Sequence, residues 1–356
     1  MPEAAPSAEG PTDARITGTT AGMKLSLDLN CGAMLGEGTS GAVYAVDSLC
    51  DGRQYALKVK KKGSTGAAAL AECQLHAALP QCETIVQYCF AWTTPSHVYV
   101  LMERMATELW QAVLQPPTSS TALSERLQWS KDVLSAVACL HSIKVAHRDV
   151  NPWNLFVSFG HTGRRCKLGD LGLAARLPKS GRFAGRHELG APSLDESAID
   201  SLYSAPELGA DAEAGGYSLP ADVFSTGVVL VAIWHSAVVF DASEDAVTDA
   251  TEAVRRSGEL PWIVPCRIAR LVRRLTSHYP EQRPSAGEAA AVLMAMASAH
   301  DAIAAVAEEV DAPAGASSVR PPHPRPWKLP WPSWRRRRGT VTGTAARRPV
   351  QLSVKV

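Results

Sequence analysis

A glycine string, Gly36-Glu37-Gly38-Thr39-Ser40-Gly41-Ala42-Val43, has the spacing of a phosphate-binding loop. Glycine lacks a Cβ atom, so its backbone amides can approach phosphate oxygens closely. β-type sequence lies on both sides of the string, whereas a dinucleotide-binding site requires a helix after its glycines. The string therefore predicts a glycine-rich hairpin, which either binds phosphate or is an ordinary turn.

A lysine follows in an apolar strand, at the end of Tyr55-Ala56-Leu57-Lys58. A buried ammonium group costs free energy unless it is paired, and Glu72 in the next predicted helix is a suitable partner. The alternative is a lysine at an exposed strand edge. We expect the next lysines, Lys60–Lys62, to be solvated.

The decisive stretch is His147-Arg148-Asp149-Val150-Asn151-Pro152-Trp153-Asn154, followed by Gly169-Asp170-Leu171-Gly172 and Ala205-Pro206-Glu207. Together with the glycine string, Lys58 and Glu72, these motifs resemble the eukaryotic protein kinase family in content and order. The resemblance covers about residues 28–298. It implies an α+β, two-lobed fold, with a small β-rich N-lobe and a larger helical C-lobe.

The resemblance implies a protein kinase that uses ATP and Mg²⁺ and acts on Ser or Thr of a protein substrate. Asp149 would accept the proton of the substrate hydroxyl. Lys58 would hold the α- and β-phosphates, with Glu72 orienting it. Asn154 and Asp170 are hard oxygen ligands that would bind Mg²⁺.

The resemblance also assigns residues to the nucleotide site and to the frame around it. The implied ATP-binding residues are Gly36, Glu37, Gly38, Gly41, Val43, Ala56, Lys58, Glu103, Met105 and Phe156. Val43, Ala56 and Phe156 would sandwich the adenine, with Met102 behind it. Glu207 and Arg283 would form a structural ion pair, and Asp222 would anchor the catalytic loop from below.

Two departures from the family pattern fall on one interacting pair. Asn151 replaces a lysine that neutralises charge on the transferred phosphate, and Asp200 replaces a threonine that bonds this lysine. Either Asn151 is accommodated together with Asp200 or Ser201, or the protein is a weakened kinase. Leu171 replaces the phenylalanine of D-F-G and can fill the same apolar site.

The branch of the family remains open. Residues 72–105 resemble a segment shared by Wee-type inhibitory kinases and kinases of the alpha subunit of translation initiation factor 2. His76, Ala91-Trp92 and Leu171 favour the Wee type, whereas Pro152 favours ordinary Ser/Thr kinases. The alternatives are a Wee-type kinase acting on Tyr of a cyclin-dependent kinase, a pseudokinase scaffold, or a small-molecule kinase. The last group lacks A-P-E and the paired arginine.

Arg148 suggests a regulatory switch, because in the family such an arginine receives a phosphate from the activation segment. That segment, Asp170–Glu207, contains no threonine. We hypothesise that Asp195 or Glu196 engages Arg148 constitutively and that phospho-Ser197 amplifies activity. The alternative is that all three side chains are solvated on a mobile loop.

Charge divides the chain into an acidic body and a basic tail. Residues 311–356 contain ten Lys/Arg and one acidic residue, within a chain of formal net charge +1. The tail would bind importin, anionic lipid, nucleic acid or the acidic kinase body, or would simply be solvated.

The elements that must position these residues begin as strands and continue as helices after residue 107. We predict a flexible leader (1–24), an N-lobe (25–105), a C-lobe (106–300), the end of the last helix (301–310) and a disordered tail (311–356). The eight cysteines are scattered, and no signal sequence or membrane-spanning run is present. We therefore expect an intracellular protein of the cytoplasm or nucleus.

Overall fold

The computed structural model describes residues 14–20, 23–38, 41–61, 66–115, 122–160, 163–183, 202–208, 216–238, 243–260, 264–296 and 350–353. Strands dominate the first part of the chain. They are β1 (Ala14–Thr20), β2 (Met23–Gly38), β3 (Gly41–Ser48), β4 (Gln54–Lys61), β5 (Tyr88–Thr93) and β6 (His97–Glu103). Helix α1 (Gly66–Ala77) lies between β4 and β5.

These strands form one sheet in the order β12-β1-β2-β3-β4-β6-β5, where β12 is Val350–Ser353. Neighbouring strands are antiparallel except β12, which pairs in parallel with β1. Alternate side chains of a strand share one face, and Leu29, Val46, Leu57 and Leu101 form the buried cluster of this sheet.

A tight turn joins β3 to β4. Gly52 has a φ of 69°, a conformation that glycine adopts without strain. The Asp51 carboxylate accepts hydrogen bonds from the backbone amide of Arg53 (3.0 Å) and the hydroxyl of Tyr55 (2.6 Å). This turn places β4, which carries Lys58, beside the glycine-bearing strands.

Helices form most of the second part. They are α2 (Leu109–Leu114), α3 (Ala122–Ser142), α4 (Leu219–Val238), α5 (Glu244–Ser257), α6 (Cys266–Leu275) and α7 (286–296). This part also contains short strands: β7 (Thr107–Glu108), β8 (Val145–Ala146), β9 (Leu155–Gly160), β10 (Gly163–Leu168) and β11 (Ala175–Arg176). Two 3₁₀ turns cover Pro206–Leu208 and Pro280–Gln282.

The central helix of this helical part is α4, which is buried around its whole circumference from residue 221 to 234. It packs on α3, and the indole Nε1 of Trp234 donates to the hydroxyl of Ser130 (2.9 Å). Trp129 and Phe224 are among the largest fully buried side chains of this core. The α+β, two-lobed prediction is confirmed. No helix within the described residues is long and apolar enough to span a membrane.

Two of the described strands lie near the ends of the chain. Strand β1 lies inside the range 1–24 that we expected to be a flexible leader, and β12 lies inside the predicted disordered tail. The two strands pair with each other in parallel, and the bounds of the leader and the tail stay a prediction.

Candidate active site

Lys58 lies at the centre of the site, on β4, with 4% of its side chain exposed. Its Nζ is 2.7 Å from Oδ1 of Asp170 and 3.4 Å from Oε1 of Glu72. Burial opposes the charged form of Lys58, but the two carboxylates outweigh it and raise the pKa above its ordinary value. The structure therefore brings together three of the predicted site residues around a buried ammonium group.

Lys60 corrects our expectation that the lysines after Lys58 are solvated. Its Nζ forms an ion pair with Oε2 of Glu72, and only 14% of its side chain is exposed. Lys61 is exposed, as expected. The signal was available in the sequence, because residues 58 and 60 of one strand must point to the same face.

Glu72 has a further partner that sequence reasoning missed. The hydroxyl of Tyr88 on β5 donates to Oε1 of Glu72 (2.6 Å). Burial and the charge of Glu72 raise the pKa of Tyr88 well above its ordinary value, so this hydroxyl remains a donor. The Tyr88 ring stacks on His76 of α1, with ring centroids 4.0 Å apart.

Asp149 lies in the loop after β8, where two amide side chains hold its carboxylate. Asn151 Nδ2 donates to Oδ1 and Asn154 Nδ2 donates to Oδ2, each over 2.6 Å. Burial and the nearby charge of Asp170 raise the pKa of Asp149, against the opposing effect of both hydrogen bonds. The arrangement suits a carboxylate that must exchange a proton.

Asp222, at the start of α4, is hydrogen-bonded to the loop that carries Asp149. Its completely buried carboxylate accepts from the backbone amides of His147 (2.8 Å) and Arg148 (2.9 Å). His141 Nε2 (2.9 Å) and the hydroxyl of Tyr217 (2.7 Å), which sequence reasoning missed, complete its partners. Burial works against the charged carboxylate, but His141 and its other partners hold the pKa of Asp222 below its usual value.

Two site residues have backbones in the left-handed region, Arg148 with a φ of 71° and Asp170 with a φ of 52°. Such conformations are strained for residues other than glycine and persist only where surrounding contacts fix them. The Asp222 carboxylate fixes the first, because it accepts from the amide of Arg148. Lys58 and the amide of Gly172 (3.1 Å) contact Oδ1 of Asp170 and fix the second.

The glycine string forms the paired ends of β2 and β3, with Gly36 opposite Val43 and Gly38 opposite Gly41. A Cβ atom added at Gly36 or Gly38 would meet nothing within 4 Å. Gly41 has a φ of 117°, and a Cβ there would lie 2.5 Å from the carbonyl oxygen of Val59. Gly41 therefore shapes the hairpin, while Gly36 and Gly38 leave open space beside the backbone.

Three further predicted nucleotide residues lie on different elements of the fold. Ala56 is buried opposite Ala45. Phe156 on β9 packs under Gly169, where a Cβ atom would come within 2.9 Å of the Phe156 ring. Met105, half-buried, lies between β6 and β7.

Glu103 has a contact that the sequence did not predict. Both oxygens of its carboxylate lie 2.8 Å from Nζ of Lys167, and Oε1 also accepts from the amide of Gln87. The carboxylate of Glu103 therefore links β6 to β10. The backbone amide of Glu103 donates to the carbonyl of Gln87 (2.9 Å), and the contact of Glu103 with an adenine stays a prediction.

Asn154 and Asp170 have the donor chemistry for Mg²⁺. The backbone amide of Gly169 donates to the carbonyl of Asn154 (2.8 Å), which holds the two residues close together. Asn154 Nδ2 donates to Asp149, and the oxygen of the same amide is the atom of this side chain that could bind a metal ion. An amide oxygen and a carboxylate are the hard ligands that this ion prefers, so the residues fit it.

Arg148 is buried, with its guanidinium carbon 5.0 Å above the ring of Phe183 and 5.8 Å from that of Tyr217. Its Nη1 donates to the carbonyl of Leu173 (3.4 Å). The predicted regulatory residues Asp195, Glu196 and Ser197, and the residues Asp200 and Ser201 proposed to accommodate Asn151, lie outside the described residues.

Arg283 and Glu207 meet as the resemblance implied. Nη1 and Nη2 of the arginine lie 2.6 and 2.7 Å from the two carboxylate oxygens, a bidentate arrangement. Arg283 also donates to the carbonyls of Ser277 (2.8 Å) and Pro220 (2.9 Å). The pair ties the segment after the activation loop to the base of the C-lobe.

The sequence matches a known family over most of its length, because the family model of the protein kinase domain covers residues 29–293. The chain belongs to the protein kinase family. The matched range agrees with the extent of the resemblance seen in the sequence. Within the fold, the glycine hairpin, Lys58 and Glu72 belong to the N-lobe, and Asp149, Asn154 and Asp170 belong to the C-lobe side of the cleft.

Relatives of this kinase differ in what their names say of activity. An inactive serine/threonine-protein kinase, PLK5, of Mus musculus is 26% identical over 71% of this chain and 40% of that protein. The membrane-associated tyrosine- and threonine-specific cdc2-inhibitory kinase wee-1.3 of Caenorhabditis briggsae is 28% identical over 71% and 36%. A Wee1-like protein kinase of Arabidopsis thaliana is 28% identical over 71% and 47%. The chain spans less than half the length of these three relatives.

Proposed function

We propose that this protein kinase transfers the γ-phosphate of ATP to a Ser or Thr hydroxyl of a protein substrate. The observation that carries the proposal is the arrangement around Lys58. A buried ammonium group is shared between Glu72 and Asp170, and the charge of Asp170 together with burial raises the pKa of a second carboxylate, Asp149. In-line phosphoryl transfer requires mainly such positioning and charge neutralisation.

Each residue of the site contributes one part of the reaction. The ammonium group of Lys58 binds the α- and β-phosphates, and Glu72 orients it. The backbone around Gly36 and Gly38 covers the phosphates, because no side chain blocks their approach. Asp149 orients the substrate hydroxyl and accepts its proton. Asn154 and Asp170 would hold Mg²⁺, which neutralises phosphate charge when bound.

Two alternatives have specific support. Transfer to Tyr is favoured by the likeness to kinases named tyrosine- and threonine-specific. A scaffold without transfer is favoured by Asn151 in place of the usual lysine and by a relative named inactive. Lys58, Glu72, Asp149, Asn154 and Asp170 are all present, and this favours transfer over a scaffold.

The test measures phosphate transfer from Mg·ATP to an array of Ser, Thr and Tyr peptides, with the sites mapped by mass spectrometry. We expect transfer to Ser or Thr by the wild type and none by Lys58→Met, Asp149→Asn or Asp170→Asn. Asp170→Asn also weakens Mg²⁺-dependent nucleotide binding, whereas Asp149→Asn leaves it nearly intact. The matched control is Asp249→Asn, an exposed carboxylate on α5. Undiminished transfer by Asp149→Asn contradicts the assignment, and ATP binding without transfer by the wild type supports the scaffold.

A further inference from the structure

Glu72 is held by more groups than its pairing with Lys58 requires. Its Oε1 accepts from Tyr88 (2.6 Å) and lies 3.4 Å from Nζ of Lys58. Its Oε2 is ion-paired with Lys60. The shortest contact of Lys58 is instead with Asp170, at 2.7 Å. The strong partners of Glu72 are thus Lys60 and Tyr88, and Lys58 is drawn toward the opposite carboxylate.

The charges of this cluster balance only when Lys60 is counted. Lys58, Glu72 and Asp170 alone carry one positive and two negative charges, and Lys60 brings the sum to zero. Glu72 has 1% of its side chain exposed, so an uncompensated negative charge there would be costly. Burial alone would raise the pKa of Glu72, but the charges of Lys58 and Lys60 reverse this and lower it.

Lys60 also reaches the start of the activation segment. A Cβ atom built on Gly172 would lie 3.0 Å from Oδ1 of Asp170, 3.6 Å from Nζ of Lys60 and 3.7 Å from Oε2 of Glu72. The ammonium group of Lys60 therefore lies where helix α1, strand β4 and the Asp170–Gly172 turn meet. A change in the position of α1 would break its contact with Glu72.

We propose that Lys60 is a positioning residue, which together with Tyr88 holds Glu72 in the cleft and leaves Lys58 shared with Asp170 and the nucleotide phosphates. The proposal rests on the proposed function for its kinetic consequences. The orientation of Glu72 that it describes exists with or without phosphate transfer.

The test compares Lys60→Met with Lys61→Met, which removes the neighbouring, exposed lysine of the same strand. We expect Lys60→Met to lower kcat about tenfold with less than about a threefold change in KM for ATP, as loss of one charged hydrogen bond predicts. Lys61→Met leaves both constants unchanged. Lys60→Arg retains most activity, because a guanidinium group reaches the same carboxylate.

A double-mutant cycle with Glu72→Gln shows whether Lys60 acts through Glu72. In the Glu72→Gln background, Lys60→Met should lower kcat by less than about a further twofold. Hydrogen exchange of backbone amides 71–77, measured without nucleotide, should be faster in Lys60→Met than in Lys61→Met.

The outcomes separate the two proposals. A wild type without transfer overturns the proposed function, and the exchange measurement then decides on Lys60 alone. Four results would each overturn the role of Lys60. The first two are an unchanged kcat in Lys60→Met and a full additional loss of kcat when Lys60→Met is added to Glu72→Gln. The others are equal hydrogen exchange in Lys60→Met and Lys61→Met, and failure of Lys60→Arg to retain activity.

Discussion

The side-chain amide of Asn151 donates to Oδ1 of Asp149 over 2.6 Å. The oxygen of the same amide accepts from the backbone amides of Trp153 (3.0 Å) and Asn154 (3.1 Å). Asn151 therefore closes the catalytic loop on itself while it contacts the carboxylate expected to accept the proton. A residue read from the sequence as a missing lysine is thus part of the architecture of the loop.

We expect Asn151→Lys to reduce turnover about tenfold, because lysine cannot accept the two backbone hydrogen bonds. The measurement is kcat on the best peptide of the array. Asn30→Lys, the same substitution at an exposed position of β2, is the control and leaves kcat unchanged. A rise in turnover in Asn151→Lys would show that the missing lysine is a handicap.

The pairing of Asn151 with Asp200 stays a prediction and is tested separately. If the two positions are coupled, Asp200→Thr should partly restore the activity lost in Asn151→Lys and do little by itself. A double-mutant cycle on kcat measures this coupling. Additive effects would refute the paired interpretation.

The pH dependence of transfer should follow Asp149. Its pKa is raised by burial and by Asp170, so kcat falls as the pH drops through that raised value and the carboxylate becomes protonated. The hydrogen bond from Asn151 opposes this rise. Asn151→Ala should therefore move the acid limb to higher pH, measured from about pH 4 to 8. An acid limb that does not move, with Asn30→Ala as control, would contradict the assignment.

Much of the site could be predicted because its chemistry leaves few options. An apolar strand that contains Lys58 needs a carboxylate partner; the predicted Glu72 lies 3.4 Å from its Nζ, and Asp170 lies closer, at 2.7 Å. The contribution of Lys60 was missed because a run of three lysines reads as a solvated surface, although strand alternation places Lys60 on the face of Lys58. The solvated interpretation of Lys60 followed from local composition. The two-residue period of the strand would have predicted correctly that Lys60 shares the face of Lys58.

The partners that could not be predicted are contributed by distant parts of the chain. His141 and Asp222 are 81 residues apart in sequence and meet only through the packing of α3 on α4. Tyr88 reaches Glu72 because β5 lies beside α1, and nothing near Tyr88 in the sequence indicates an acceptor. The pairing of β1 with β12 likewise depends on residues at opposite ends of the chain.

The ion pair of Arg283 should contribute to stability rather than to chemistry. The Arg283 side chain has no exposed surface, so Arg283→Leu leaves Glu207 unpaired in a largely buried environment. Removal of one partner from such a pair costs about 3 kcal/mol of unfolding free energy. Urea denaturation followed by tryptophan fluorescence measures this loss.

The matched control is another arginine–glutamate pair on the surface. Arg256 pairs with Glu252 one helical turn away, and its side chain is 74% exposed. Arg256→Leu should change the unfolding free energy by less than about 0.5 kcal/mol, because exposed pairs contribute little. Equal losses in the two variants would mean that burial does not determine the strength of the Arg283 pair.

The last prediction concerns Arg148, whose guanidinium group is buried against the rings of Phe183 and Tyr217. Aromatic faces attract a cation, so these contacts hold Arg148 in place whether or not a phosphate is present. The hypothesis of basal activity without phosphorylation, in which Asp195 or Glu196 supplies the negative charge, stays a prediction. A carboxylate carries one charge and phosphoserine nearly two, so phospho-Ser197 would add to that activity.

We expect phosphatase-treated wild type to retain activity and the Asp195→Asn/Glu196→Gln variant to lose most of it after the same treatment. Ser197→Ala should lose only the fraction that phosphatase removes from the wild type. Ser180→Ala, which changes an exposed serine of the same segment, is the control and behaves as wild type. If dephosphorylation alone abolishes activity, the hypothesis that a carboxylate engages Arg148 is wrong, and Arg148 depends on a phosphate. If the carboxylate variant keeps full activity after treatment, both acidic side chains are merely solvated, because a charge that engages Arg148 cannot be removed without cost.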